Sequence, residues 1–129
     1  MARKTLTTQT IDSTITEKAF RQQVISLAKI CGWKHYFTWT SIHSPRGMPD
    51  LVLCRPPRLI FAELKTMKGQ LSEYQIEWMD LLSDTPHSEV YLWRPDSWET
   101  IQQVLTGPDP YQGLERWTRE NHYDSKEGK

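Results

Sequence analysis

Two short apolar runs joined by Arg55-Pro56-Pro57-Arg58 constrain this chain more than any other feature. They are Pro49-Asp50-Leu51-Val52-Leu53 and Phe61-Ala62-Glu63-Leu64-Lys65. Both read as β-strands, and the proline pair marks the turn between them. With Pro56-Pro57 at the turn centre, residues whose numbers sum to 113 face each other. Asp50 then faces Glu63, Val52 faces Phe61, and Leu53 faces Ile60. Facing residues of an antiparallel pair lie ~4.5–5.5 Å apart, and like charges there are destabilising. Two carboxylates aimed at one point therefore call for a cation between them. An oxygen-only pair suits a hard divalent ion, Mg²⁺ or Mn²⁺. Side chains alternate along a strand, so Lys65 shares the face of Glu63. An ammonium beside a metal-binding carboxylate pair is the equipment of phosphodiester hydrolysis.

Charges at strand ends are ordinarily solvated, which is the plainer reading. The surroundings argue against it. Leu51, Leu53, Ile60, Ala62 and Leu64 lie on one face of the hairpin, and Val52, Leu59 and Phe61 on the other. A hairpin apolar on both faces belongs inside a sheet, where polar groups need partners.

The flanking segments supply the rest of a sheet. Thr14-Ile15-Thr16-Glu17 matches a capping box with Thr14 as N-cap, and Phe20, Val24, Leu27, Ala28 and Cys31 follow at helical spacing up to Gly32. Residues 33–40 are aromatic and β-branched, a predicted strand, and residues 41–48 a loop. After the hairpin, residues 66–70 form a loop and Ser72-Glu73-Tyr74-Gln75 opens a second helix as another capping box. Its inner stripe is Gln75, Trp78, Met79 and Leu82. A strand over 89–94 and a helix over 95–105 complete the order α-β-β-β-α-β-α. That order predicts an α/β fold, one mixed sheet flanked by helices, with a parallel crossover through the second helix. Residues 1–13 read as a flexible arm, 14–107 as the domain, and 108–129 as a polar tail with Tyr111, Leu114, Trp117 and Tyr123 as candidate anchors.

The chain has 129 residues, enough for one domain. No apolar run approaches the ~20 residues of a membrane span. Cys31 and Cys54 are isolated and read as buried reduced thiols, consistent with a cytoplasmic setting. His43 and His35 lack ligand partners at useful spacing. Formal net charge is zero, so any nucleic-acid surface must be local. Basic residues gather in 1–34 (Arg3, Lys4, Lys18, Arg21, Lys29, Lys34) and 43–70 (Arg46, Arg55, Arg58, Lys65, Lys68). Residues 72–89 carry only acids, Glu73, Glu77, Asp80, Asp84 and Glu89. A positive side can hold phosphates without a high overall charge.

Three blocks carry a family resemblance. Arg46-Gly47-Met48-Pro49-Asp50-Leu51-Val52-Leu53, Ala62-Glu63-Leu64-Lys65-Thr66 and Gly69-Gln70-Leu71-Ser72-Glu73-Tyr74-Gln75 resemble the VRR-NUC domain, a branch of the PD-(D/E)xK nucleases. The resemblance runs from about Glu17 to Leu105 and is strongest with small stand-alone bacterial and phage forms. It implies a restriction-endonuclease-like fold, divalent-metal-dependent cleavage of branched or flapped DNA, and a homodimer akin to Holliday junction resolvases. Carried over by residue, it implies Asp50 and Glu63 as metal ligands with the Leu64 carbonyl. Lys65 would act on the attacking water or the phosphate. Glu17 would reach a metal or its water, unless it only completes its cap. Gln75 would be the motif glutamine beside the site, unless it too only caps. Arg46, Lys68 and Arg21 would meet DNA phosphates. Trp93, Trp98 and Trp117 are either interface aromatics or core. The competing reading is a non-catalytic DNA-binding module that retains the fold.

Overall fold

The computed structural model describes residues 12–38, 44–108 and 116–118. Its elements are α1 (Glu17–Ile30), β1 (Lys34–Phe37), β2 (Leu51–Arg55), β3 (Arg58–Leu64), α2 (Glu73–Ser83), β4 (Ser88–Trp93), a 3₁₀ turn (Pro95–Ser97) and α3 (Trp98–Thr106). The four strands form one sheet in the order β1-β2-β3-β4. The first two pairings are antiparallel and β3–β4 is parallel, joined through α2. The predicted order of elements and the mixed sheet are both present.

The hairpin register follows the sum rule: Leu51 pairs with Ala62, Val52 with Phe61, Leu53 with Ile60 and Arg55 with Arg58. A slip of one residue would turn Leu51 and Leu53 out of the core, so burial enforces this register. Leu51, Leu53, Ile60, Ala62 and Leu64 are fully buried under α1 and α3, against Phe20, Val24, Ile101, Val104 and Leu105. The opposite face is covered over β4 by α2, where Met79, Val90 and Trp117 cluster with Ile76, Leu82 and Leu92. Val52 and Phe61 on that face are half-buried, so the hairpin is not covered equally on both sides.

Several expectations are corrected. The N-cap of α1 is Thr16, whose hydroxyl accepts from the Ala19 N–H at 3.1 Å. Thr14 is not the cap, because Asp12 engages both its N–H and its hydroxyl. Glu17 is therefore in the first turn and not at the third helical position. The first strand is shorter than predicted, and Trp39, Thr40 and His43 lie outside the described residues. Cys54 is exposed and Cys31 half-exposed, not buried. Trp93, Trp98 and Trp117 are all core. They are not a surface for a second protomer. The Trp117 N–H donates to the Val90 carbonyl at 2.8 Å, so it anchors the segment after α3. Tyr111, Leu114 and Tyr123, like residues 1–11, lie outside the described residues.

At the turn end of the hairpin, two arginines of the expected positive patch are committed to packing. The Arg55 guanidinium donates to the carbonyls of Cys31, Leu105 and Gly107. Arg58 donates to those of Val104 and Gly107 and forms a two-point pair with Glu89 at 2.8 and 2.7 Å. Tyr91 adds its hydroxyl to Glu89 at 2.7 Å. Both guanidinium groups lie over the Trp33 ring. The orphan carbonyls at the C-termini of α1 and α3 thus receive charged donors, which the helix dipoles favour. Glu89 is buried here and does not belong to the acidic surface.

Candidate active site

The other end of the hairpin lies where β3 and β4 finish, the end at which open α/β sheets bind ligands. The ladder closes with Leu51–Ala62, and Asp50 and Glu63 stand next in register. Asp50 ends the pairing with its side chain: its Oδ2 accepts the Leu64 N–H at 3.2 Å. Its own carbonyl accepts from Thr38.

Glu63 is only 1% exposed, and its two oxygens differ. Oε2 accepts from the Gln75 amide at 2.8 Å and lies 3.7 Å from the Lys65 ammonium. Oε1 is buried and, among the described residues, has no hydrogen-bond partner of good geometry. An unsatisfied carboxylate oxygen of this kind costs several kcal/mol unless something meets it. Burial, with the Asp50 charge adding to it, pushes the Glu63 carboxyl up to about 8, against the pull of Lys65. Burial also raises Asp50; Glu17 adds to this, while the Leu64 N–H, Lys65 and Arg21 oppose it. The pair is short of positive charge, and a divalent cation would supply it. The donor set therefore fits the hard cation expected from the sequence.

Gln75 resolves its two readings by doing both jobs. Its Oε1 accepts from the Ser72 N–H at 2.8 Å while Ser72 Oγ accepts from the Gln75 N–H, a complete capping box. Its Nε2 meanwhile reaches Glu63. The inward amide was legible from its place in the stripe of Trp78 and Leu82.

Of the remaining expected residues, Glu17 and Arg21 act on this centre through their charge. Glu17, exposed at the start of α1, raises both carboxyls through its charge. It does not join them in a tight cluster: no group of three or more His, Cys, Asp or Glu that could hold a metal occurs among the described residues. Arg21 lies one turn along α1 with its guanidinium over Phe37 at 5.0 Å. Arg46 is exposed over the Tyr74 ring, and Lys68 is exposed in the loop after β3. Arg94, the single arginine of the final strand Val90-Tyr91-Leu92-Trp93-Arg94, which matches the motif that names the family only loosely, stands at the end of β4. Its Nη1 donates to the carbonyls of Thr66 and Gly69, both at 2.7 Å, and so fixes the loop that carries Lys68. No local pattern announces this contact, because its acceptors are backbone groups 25 and 28 residues earlier.

A mixed sheet flanked by helices, with an acidic pair and a lysine where the strands end, defines a restriction-endonuclease-like domain. The VRR-NUC domain family model matches residues 6–94. The chain belongs to the VRR-NUC family and is a nuclease-type DNA-processing domain. No match was found among curated proteins or among solved structures. No helix among the described residues is long and apolar enough to cross a membrane.

Proposed function

We propose that this chain is a divalent-metal-dependent DNA endonuclease that prefers branched DNA, acting as a homodimer. One observation carries the reading: Glu63 is buried opposite Asp50 with one oxygen that no described residue meets with a hydrogen bond. Asp50, Glu63 and the Leu64 carbonyl would hold Mg²⁺ or Mn²⁺, with Glu17 reaching the ion or one of its waters. Such an ion, when bound, lowers the pKa of a ligated water and neutralises phosphate charge. The chain's own residues do the rest. Gln75 fixes the orientation of Glu63. The Lys65 ammonium, held near Glu63, stabilises charge that develops on the phosphate as the P–O bond is exchanged. Arg46, Lys68 and Arg21 hold flanking phosphates, and the sequence carries no recognisable base-reading motif beside them. Recognition then rests on phosphate position and DNA shape.

Symmetric cutting of two strands needs two sites, which a C₂ dimer provides. With the tryptophans internal, the exposed large apolar side chains among the described residues are Ile30, Tyr36, Met48, Tyr74 and Leu81, and an interface would draw on these. The test is incubation with a four-way junction, a flap and a linear duplex, with and without Mg²⁺ or Mn²⁺. Metal-dependent cutting that favours the branched substrates, by a particle of twice the chain mass in light scattering, is expected. Binding without cutting in either metal would instead indicate the non-catalytic module. Equal cutting of junction and linear duplex would remove the shape preference, and a monomer would remove the dimer.

A further inference from the structure

Beside the carboxylate pair lies an aromatic surface that the mechanism above does not use. Tyr74, in the first turn of α2, is 53% exposed. The Arg46 guanidinium lies 5.7 Å from its ring centroid. Backbone, not long side chains, sets where the two meet. Gly47 has φ +100°, and a Cβ there would collide with the Tyr74 carbonyl, so the loop before β2 lies directly on α2. From this junction the chain leads to the site in both directions. Asp50 follows Gly47 by three residues, and Gln75, bonded to Glu63, is the next residue after Tyr74. Neighbouring Cα atoms are ~3.8 Å apart, so the backbones that carry Tyr74 and Arg46 lie no more than a few residues of chain from those that carry Asp50 and Gln75.

We propose that Arg46 and Tyr74 form a platform on which one unpaired nucleobase next to the scissile phosphate stacks. This rests on the nuclease reading and narrows its substrate. Stacking on an aromatic ring tolerates any sequence, because every base has a π-face. A guanidinium stacks as well and at the same time donates to phosphate. In a continuous duplex both faces of each base are already covered by its neighbours, and the platform gains nothing. At a branch point, a flap or a frayed end one face is free. The site then selects for an unpaired nucleotide at the cut rather than for the overall shape of a junction. That accounts for a structural preference in a domain without base-reading residues.

The test places 2-aminopurine at the branch nucleotide of a flap and at the same position of a fully paired duplex. Binding by the full chain is followed in metal-free buffer by fluorescence and anisotropy, and cutting of the same DNAs is scored separately in Mn²⁺. Wild type and Tyr74→Phe should quench the flap probe and bind the flap more tightly than the duplex. Tyr74→Ala should lose the quenching and on the order of tenfold in flap affinity, with duplex affinity changed less than twofold. Equal behaviour of wild type and Tyr74→Ala on both DNAs overturns the platform. So does an equal loss on both. In either case wild-type cutting in Mn²⁺ leaves the nuclease reading standing. No cutting of any substrate removes the nuclease reading, and the platform with it.

Discussion

Metal-free protein should lose stability as pH rises from 5 to 8, and Glu63→Gln should abolish much of that loss. The sign follows from the raised Glu63 carboxyl. Its ordinary value is 4.5 and its folded value about 8. Between the two, the folded state binds a proton that the unfolded chain has released, so stability falls with rising pH. The contribution is fully present below about 4.5 and gone above about 8. At ~1.4 kcal/mol per pH unit the gap sets a ceiling of about 5 kcal/mol. Water entering the mouth of the site and sharing of the proton with Asp50 reduce it. A loss of about 2 kcal/mol, or ~6 °C in Tm for a chain of this size, is expected. The substituted amide keeps the shape of the carboxyl and can still accept from Gln75, so the variant should match wild type at pH 5 and exceed it at pH 8. The assay is thermal unfolding by circular dichroism in EDTA across that range. A metal-free wild type whose Tm rises or stays level from pH 5 to 8 would refute the reasoning. So would a variant no more stable than wild type at pH 8.

With Mg²⁺ or Mn²⁺ at about 100 times its Kd, wild type at pH 8 should gain ~2.7 kcal/mol by linkage, while Asp50→Ala should show neither this gain nor heat of metal binding in calorimetry. Lys65→Ala should remove cleavage, by about 10²-fold or more, and leave DNA affinity within a few fold, since its charge is needed most in the transition state; cutting at wild-type rate would make Lys65 a bystander. Arg58→Ala strands the buried Glu89 and should cost about 3 kcal/mol in urea unfolding.

The hairpin was legible because its two constraints are local: strand side chains alternate, and the proline pair marks one turn. Together they put Asp50 opposite Glu63 without knowledge of the rest. The cap of α1 was not legible, since Thr14 and Thr16 are both acceptable caps. What decides is Asp12, which holds Thr14 first. Arg55 and Arg58 looked like turn-end surface charges because their acceptors, the last carbonyls of α3, arrive from 46 to 52 residues further along. A signal was available all the same. Arg58 continues the inward row Ile60, Ala62, Leu64, and Glu89 opens the inward row Tyr91, Trp93. Period-two reading across the whole strand, not the apolar residues alone, would have paired them. The tryptophans were ambiguous for a different reason: composition says that an indole is costly to expose, not which face of the sheet will take it.

Gln75 makes the first turn of α2 and the acidic centre into one unit. An amide presents an acceptor at one end and a donor at the other, and here each end is claimed: the oxygen by Ser72, the nitrogen by Glu63. A glutamate at this position would serve the cap equally well and place a third negative charge against the pair. An alanine would free both at once. The helix start thus acts as a register pin for the Glu63 carboxylate, and fraying of one turn of α2 would be felt at Glu63 before it was felt in the core. The acidic centre can then be influenced from the surface of α2, at Ser72 and its neighbours, without touching Asp50 or Glu63.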